Sequence, residues 1–317
     1  MRADRRRFLT IAAAASGAAL LPSSRVLAGD GIRRWQGTAL GADASLQLVG
    51  LSERMADRLV ERCLQEVTRL ERALSLFRPD SALVQLNHKG RLDAPPADLV
   101  RVMQEAVTYG HLTDGAFDIT TQPLWTLYAE HFATNGADAA GPPVSAVAAV
   151  QALIDFRAVE VEPSRITFAR PGMAVTLNGI AQGYITDRIA ELLLNEGLSD
   201  VLVDMGEVRA LGRHPAGRPW RVSIRQVNND GPSLDLTGAL ATSATNGTCF
   251  DPGGRFGHIL DPRSGRPAPG PRQVSVRAGT ASRADALSTA FLLMPPSAAA
   301  GLAGQLGGIT LIPQAAV

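Results

Sequence analysis

Between Thr245 and Thr289 a turn-rich loop, G-H-I-L-D-P-R-S-G-R-P, runs into a strand and then into A-D-A-L-S-T-A. Asp261-Pro262 and Ser264-Gly265 are turn chemistry, so the chain must reverse there. The strand that follows, and the helix expected over 284–293, set His258 at one end and Asp285 with Thr289 at the other. Residues four apart on a helix share a face, so the carboxylate and the hydroxyl point the same way. Two readings stay open on residues alone. The loop can be a plain surface turn, with Asp285 an acid favoured by the positive end of its helix. Alternatively, Asp285 and Thr289 are hard oxygen ligands suited to Mg²⁺, which takes few protein ligands when substrate phosphates supply the rest.

The chain has 317 residues, 45% of them hydrophobic, with Lys+Arg 31 against Asp+Glu 30. It can therefore bury a substantial core, as one large domain or two lobes, and it lacks the basic footprint of a nucleic-acid partner. Asp4-Arg5-Arg6-Arg7-Phe8-Leu9-Thr10 fits the twin-arginine export pattern. An apolar run from Ile11 to Leu21 and the small-residue site Val26-Leu27-Ala28 follow it, so residues 1–28 read as a signal peptide. That run is too short to span a bilayer, which needs about 20 residues. The mature chain is expected in the periplasm, from near Gly29. Cys63 lies on an apolar helical stripe and reads as core, whereas Cys249 precedes the His258 loop. A disulfide between them is open, and zinc or haem is not expected without clustered Cys or His.

Within the mature region, Gln36 to Val49 alternates like a strand. Ser52-Glu53 opens a long amphipathic helix ending in S-L-F-R-P-D-S-A-L-V-Q-L-N, a turn in which Phe77 either closes the core or stacks on a planar ligand. A second helix is expected near 96–109. Then T-D-G-A-F-D-I-T-T-Q-P-L reads as an ordered loop of the kind that binds something. Ala, Gly and Pro crowd residues 133–145, the one segment expected to be a flexible insertion. A hairpin turns at Pro163-Ser164. M-A-V-T-L is expected to be a strand giving way through Gly179 and Gly183 to a helix, where glycines let backbone approach a phosphate. From Asp200 onward strands dominate, followed by helices over 284–293 and 297–306 and a last strand over 309–312. The fold class is mixed α/β of the α+β type, with mostly antiparallel sheets and packed helices.

Five segments occur together in order: F-R-P-D-S-A-L-V-Q-L-N, T-D-G-A-F-D-I-T-T-Q-P-L, N-G-I-A-Q-G-Y-I-T-D-R, A-T-S-A-T-N…G-H-I-L-D-P-R-S-G-R-P and A-D-A-L-S-T-A. In this the chain resembles the ApbE family, the FAD:protein FMN transferases, over nearly the whole mature length, with the NosX-like branch the nearest flavour. The resemblance implies an enzyme that cleaves the pyrophosphate of FAD and attaches FMN through a phosphodiester to a Thr or Ser of a target flavoprotein. The target would be an exported or membrane-bound redox subunit, such as a NosR-like component of nitrous oxide reduction. It implies flavin stacking at Phe77, further FAD contacts at Ala116, Phe117, Asp118, Thr176, Gln182 and Ile259, and Mg²⁺ at Gly179, Asp285 and Thr289 with Ser288 beside them. His258 falls on the family's loop histidine and is the candidate base for the acceptor hydroxyl.

The chain departs from the family's usual D-L-G-G-I-A-K-G with T-L-N-G-I-A-Q-G: Thr176 stands for an acid, Asn178 for a glycine and Gln182 for a lysine. Losing that lysine removes a fixed positive charge, which is expected to weaken FAD binding or change target preference. A non-catalytic flavin-binding assembly factor and an FAD pyrophosphatase remain as alternatives to the transferase.

Overall fold

The computed structural model describes residues 27–29, 31–39, 42–225, 230–270 and 272–312. Nearly all of the export pattern, and the Leu40-Gly41 connection, lie outside the described residues. The chain opens with strands β1 (Leu27–Gly29), β2 (Ile32–Ala39) and β3 (Ala42–Val49). Next come α1 (Glu53–Leu74), α2 (Ala82–Lys89), β4 (Arg91–Asp93), α3 (Ala97–Leu112), a 3₁₀ turn (Ile119–Thr121), α4 (Gln122–Ala133) and α5 (Val144–Gln151). A hairpin of β5 (Val159–Glu162) and β6 (Arg165–Phe168) leads to α6 (Ala181–Asn195). The second half runs β7 (Val201–Asp204), β8 (Val208–Leu211), β9 (Trp220–Arg225), β10 (Asp230–Leu236) and β11 (Gly238–Ala244). It finishes with β12 (Leu260–Asp261), β13 (Arg266–Pro267), β14 (Gln273–Ala278), α7 (Ala281–Leu293), α8 (Pro296–Leu306) and β15 (Thr310–Ile312).

Eight strands form one sheet in the order β1-β2-β3-β7-β8-β11-β14-β15, and every neighbouring pair is antiparallel. Alternation along the strands sends successive side chains to opposite faces. Leu46, Leu48, Val201, Val203, Ala241 and Val276 join the helical core with Leu59, Cys63, Ile185, Ile189 and Leu287. Leu202, Ala210 and Leu240 instead meet Trp220, Val222, Ile224 and Leu236 of the β9–β10 ribbon on the other face. A separate apolar cluster joins α4 to the loop before β12 through Leu124, Tyr128, Phe250 and Leu260. The mixed, antiparallel fold expected from the sequence is the fold observed.

Two local readings change, and the cysteine question left open is answered. Gln36 to Val49 is two strands, β2 and β3, in register from Ile32 opposite Val49 to Ala39 opposite Ala42. The stretch from Met173 to Leu177 is not a strand. Its backbone bonds to a side chain instead: Asn87 Nδ2 donates to the Val175 carbonyl and the Val175 amide to Asn87 Oδ1, both at 2.8 Å. Cys63 and Cys249 are both free, Cys63 buried and Cys249 half-buried. Within residues 133–145, Ala139 accepts from Arg255 Nη2 and Asp138 from His131 Nε2 through their carbonyls. No helix among the described residues is long and apolar enough to cross a membrane.

Candidate active site

Gly183 draws α6 and α7 together. A Cβ there would lie 2.3 Å from the Ala281 carbonyl oxygen and 2.7 Å from Ser282 Cα, so only glycine lets the two backbones meet. The same Gly183 amide donates to Asp285 Oδ2 at 3.0 Å. This glycine therefore serves helix packing and the carboxylate rather than a direct approach to phosphate. Helix α7 begins at Ala281, earlier than expected, which moves Asp285 into its second turn. The end of the helix is served instead by Asp187, whose two oxygens accept from the Ala281 and Ser282 amides at 2.8 and 2.9 Å while Arg209 pairs with it. Asp285 instead serves the first turn of α6, where Gly183 is the third residue. Burial raises its carboxyl to about 7, with the Gly183 amide opposing and Asp187 adding to the rise.

One turn along α7, Thr289 Oγ1 meets Ser243 Oγ at 3.1 Å. Ser288 points elsewhere: fully buried, it bonds Ser243 Oγ at 2.7 Å and donates to the Asp285 carbonyl at 3.0 Å, so it stands behind the cavity wall. A Cβ on Gly179 would sit 3.2 Å from both Thr289 Oγ1 and Phe117 Cε2. That cradle leaves the Gly179 backbone beside the threonine hydroxyl. The segment holding Gly179 is fixed by Asn87 and by the Thr176 amide, which donates to the Ile119 carbonyl at 2.8 Å.

These groups open onto one cavity of about 390 Å³, lined among others by Ala116, Phe117, Asp118, Thr176, Gly179 and Gln182. His258, Ile259, Asp285 and Thr289 line it too. Ten of the twelve residues expected at the site therefore share it, whereas Ser288 and Phe77 do not. Phe77 sits half-buried in the turn after α1, its amide donating to Ser75 Oγ at 3.1 Å. That turn is closed by Ser81, whose hydroxyl donates to the Ser75 carbonyl at 2.6 Å. Phe117 lies edge-on to Tyr109 at 6.2 Å and is nearly buried, a floor rather than a free stacking plate. Asp118 lines the wall, but its carboxyl is occupied by the Thr120 amide and hydroxyl and by the Phe156 amide. Its acidity is lowered chiefly by burial.

Loop 248–258 holds the histidine. The Thr248 carbonyl accepts from the His258 amide at 2.9 Å and meets His258 Nδ1 at 3.0 Å. A carbonyl only accepts, so Nδ1 carries the hydrogen and Nε2 is left as the basic atom. Burial holds the imidazole below its usual 6.5, against the raising effect of Thr248. The D-P-R-S-G turn is structural as well. Asp261 accepts from the Arg263 amide and guanidinium, and Arg263 Nη2 donates to the Leu293 carbonyl at 2.6 Å, tying the loop to the end of α7.

Among the described residues no group of three or more His, Cys, Asp or Glu is placed to hold a metal. A cation here would rest on the Asp285 carboxylate, the Thr289 hydroxyl, the Gly179 carbonyl and its ligand's phosphates. That hard-oxygen set is the kind Mg²⁺ accepts, and the buried, charge-poor carboxylate of Asp285 fits it. Sequence reading missed Glu207, Thr242, Ser243 and Trp125, which also line the cavity. The only signal for Glu207 was an acid in a Gly-containing turn between two apolar strands.

Residues 40–312 match the family model described as the ApbE family. The FAD:protein FMN transferase of Klebsiella pneumoniae is 29% identical over 83% of this chain and 79% of its own length. That of Treponema pallidum is 30% identical over 79% of this chain and 76% of its own. The apo crystal structure of the Pseudomonas stutzeri flavinyl transferase ApbE superposes with a TM-score of 0.76 at 27% identity, covering 88% of this chain and 90% of that one. With the match running from β3 to β15 and the motif residues gathered on one cavity, the chain belongs to the ApbE family.

Proposed function

We propose that this cavity binds FAD and transfers its FMN half to a Ser or Thr hydroxyl of a protein acceptor. The observation that carries the reading is the joint placement of a histidine with a free Nε2 and the Gly179, Asp285 and Thr289 oxygen set on one 390 Å³ cavity. The acceptor hydroxyl is a weak nucleophile at neutral pH, and the Nε2 lone pair of His258 takes its proton. The hydroxyl oxygen bonds to the phosphorus of the FMN half while the bond from that phosphorus to the bridging oxygen breaks, releasing AMP. Gly179, Asp285 and Thr289 would hold Mg²⁺, which when bound would supply charge neutralisation for the pyrophosphate. The backbone of residues 116–118, with Thr176, Gln182 and Ile259, orients the nucleotide, and Phe117 closes the floor against water. The twin-arginine pattern at the start of the chain supports export and so an acceptor in the periplasm; the resemblance to the NosX-like branch is what supports a NosR-like or other membrane-bound redox subunit as that acceptor.

The test incubates the chain with FAD, Mg²⁺ and an acceptor domain and weighs the acceptor. The expected result is an FMN-sized mass gain that disappears in His258→Ala and Asp285→Ala. Release of free FMN and AMP without labelling would instead make the chain a pyrophosphatase. Bound FAD without turnover under any acceptor would make it an assembly factor.

A further inference from the structure

Glu207 stands in the turn between β7 and β8, where D-M-G-E-V reverses the chain. Its backbone is fixed, because its carbonyl accepts from Thr186 Oγ1 at 3.1 Å and from the Met205 amide at 3.2 Å. Its side chain is only 9% exposed, yet it lines the cavity beside Asp285, Gln182 and Thr242. Among the described residues its carboxyl receives one hydrogen bond, a long one of 3.3 Å from the Thr242 amide to Oε2, and no ion pair. Its second oxygen has no protein donor there.

Among the described residues, the charges that act on it are acidic. Asp285 on α7 and Asp204 on β7 both act on Glu207 as like charges. Arg209, two residues on in β8, is committed to Asp187. Gln182, whose amide lies against Gly206, is neutral. Two buried carboxyls side by side stay ionised together only where a positive charge completes them; otherwise one keeps its proton.

We propose that Glu207 is a cation-facing carboxylate of this cavity, joining Asp285 in drawing a divalent cation to it. This rests on the cation reading of Asp285 and Thr289 given above and adds to it a residue from a different element. It also bears on the neutral residue at position 182: the positive charge absent from the protein wall is supplied with the ligand, so this cavity leans harder on its divalent ion.

The test uses the full chain with FAD bound and no acceptor, titrated with Mn²⁺ as the probe, reading free Mn²⁺ by electron paramagnetic resonance and the thermal midpoint. Glu207→Gln keeps the shape and the Thr242 contact while removing the charge. We expect it to weaken Mn²⁺ binding about tenfold, one charge's worth of affinity, and to raise the midpoint measured without metal because a like-charge neighbour is gone. A purely structural Glu207 would lower the midpoint with and without metal and leave Mn²⁺ affinity alone, which overturns the proposal. Asp285→Asn separates the two layers. If it abolishes binding while Glu207→Gln binds like the unsubstituted chain, Glu207 is dismissed and the Asp285 site stands. If the unsubstituted chain takes up no Mn²⁺, the cation reading and this proposal fall together.

Discussion

A histidine whose Nδ1–H is engaged by a carbonyl has one lone pair to offer, and His258 has that arrangement with Thr248. Replacing it with Ala should slow transfer by about 10²–10⁴-fold, the usual worth of a general base, with little change in bound FAD. Because burial holds its pKa below 6.5, the base is already unprotonated at neutral pH. The acid limb of the kcat profile should therefore fall below pH 6.5 and vanish in His258→Ala. Stability follows the same sign. The unfolded histidine binds protons more readily than the folded one, so this contribution is complete above pH 6.5 and is lost as the pH falls below it. Asp285, raised to about 7, acts with the opposite sign in this window, so the His258 part is read as the difference between the unsubstituted chain and His258→Ala from pH 7.5 down to 5, and a difference that grows on acidification would contradict it.

Gly183 and Asn87 act at the scale of elements. Gly183→Ala forces a methyl into the Ala281 carbonyl, so α6 and α7 must part. Overpacking of this kind costs about 1–3 kcal/mol, and as the helices part the residue-183 amide is drawn away from Asp285, so denaturant midpoint and metal affinity should drop together. Asn87→Leu takes away both bonds to Val175 at similar volume. The Thr176–Gly179 segment should then hold FAD several-fold less tightly while the chain stays folded, as equilibrium dialysis would report. Much at this scale was legible in the sequence. Amphipathic α1, the hairpin at Pro163-Ser164 and the strands after Asp200 follow from periodicity and turn residues. The Met173–Leu177 stretch did not, since its strand-like composition is answered by a side-chain amide that no pattern announces. Nor did the placing of Phe77 and Ser288, because which way a turn or a helix faces depends on distant partners such as Ser81 and Ser243.

Across the whole molecule the eight-stranded sheet separates two tasks. Its helical face carries α6 and α7 with the site, and its other face packs the β9–β10 ribbon through Trp220, Val222 and Leu236. Trp220→Ala should cost about 3–5 kcal/mol, as deletion of a fully buried aromatic does, while leaving cation affinity unchanged in the molecules that stay folded. The site was readable as a set of residues because its motifs lie in sequence order. Glu207 escaped notice because its meaning depends on which neighbours the sheet brings to it. The crossing of α6 and α7 at Gly183 has a further consequence. Two walls of the cavity meet backbone to backbone, with no side chain between them to flex, and parting them would break the main core. The opposite wall, the His258 loop on α4, rests on its own small cluster of Tyr128, Phe250 and Leu260. It is moored by hydrogen bonds as well, the Arg263 guanidinium to the Leu293 carbonyl at the end of α7 and the Thr245 amide to the Arg272 carbonyl. The histidine's side of the cavity is thus held by turns and side-chain ties rather than by backbone packed on backbone, and His258 keeps its place only as long as the Thr248 and Arg263 ties hold.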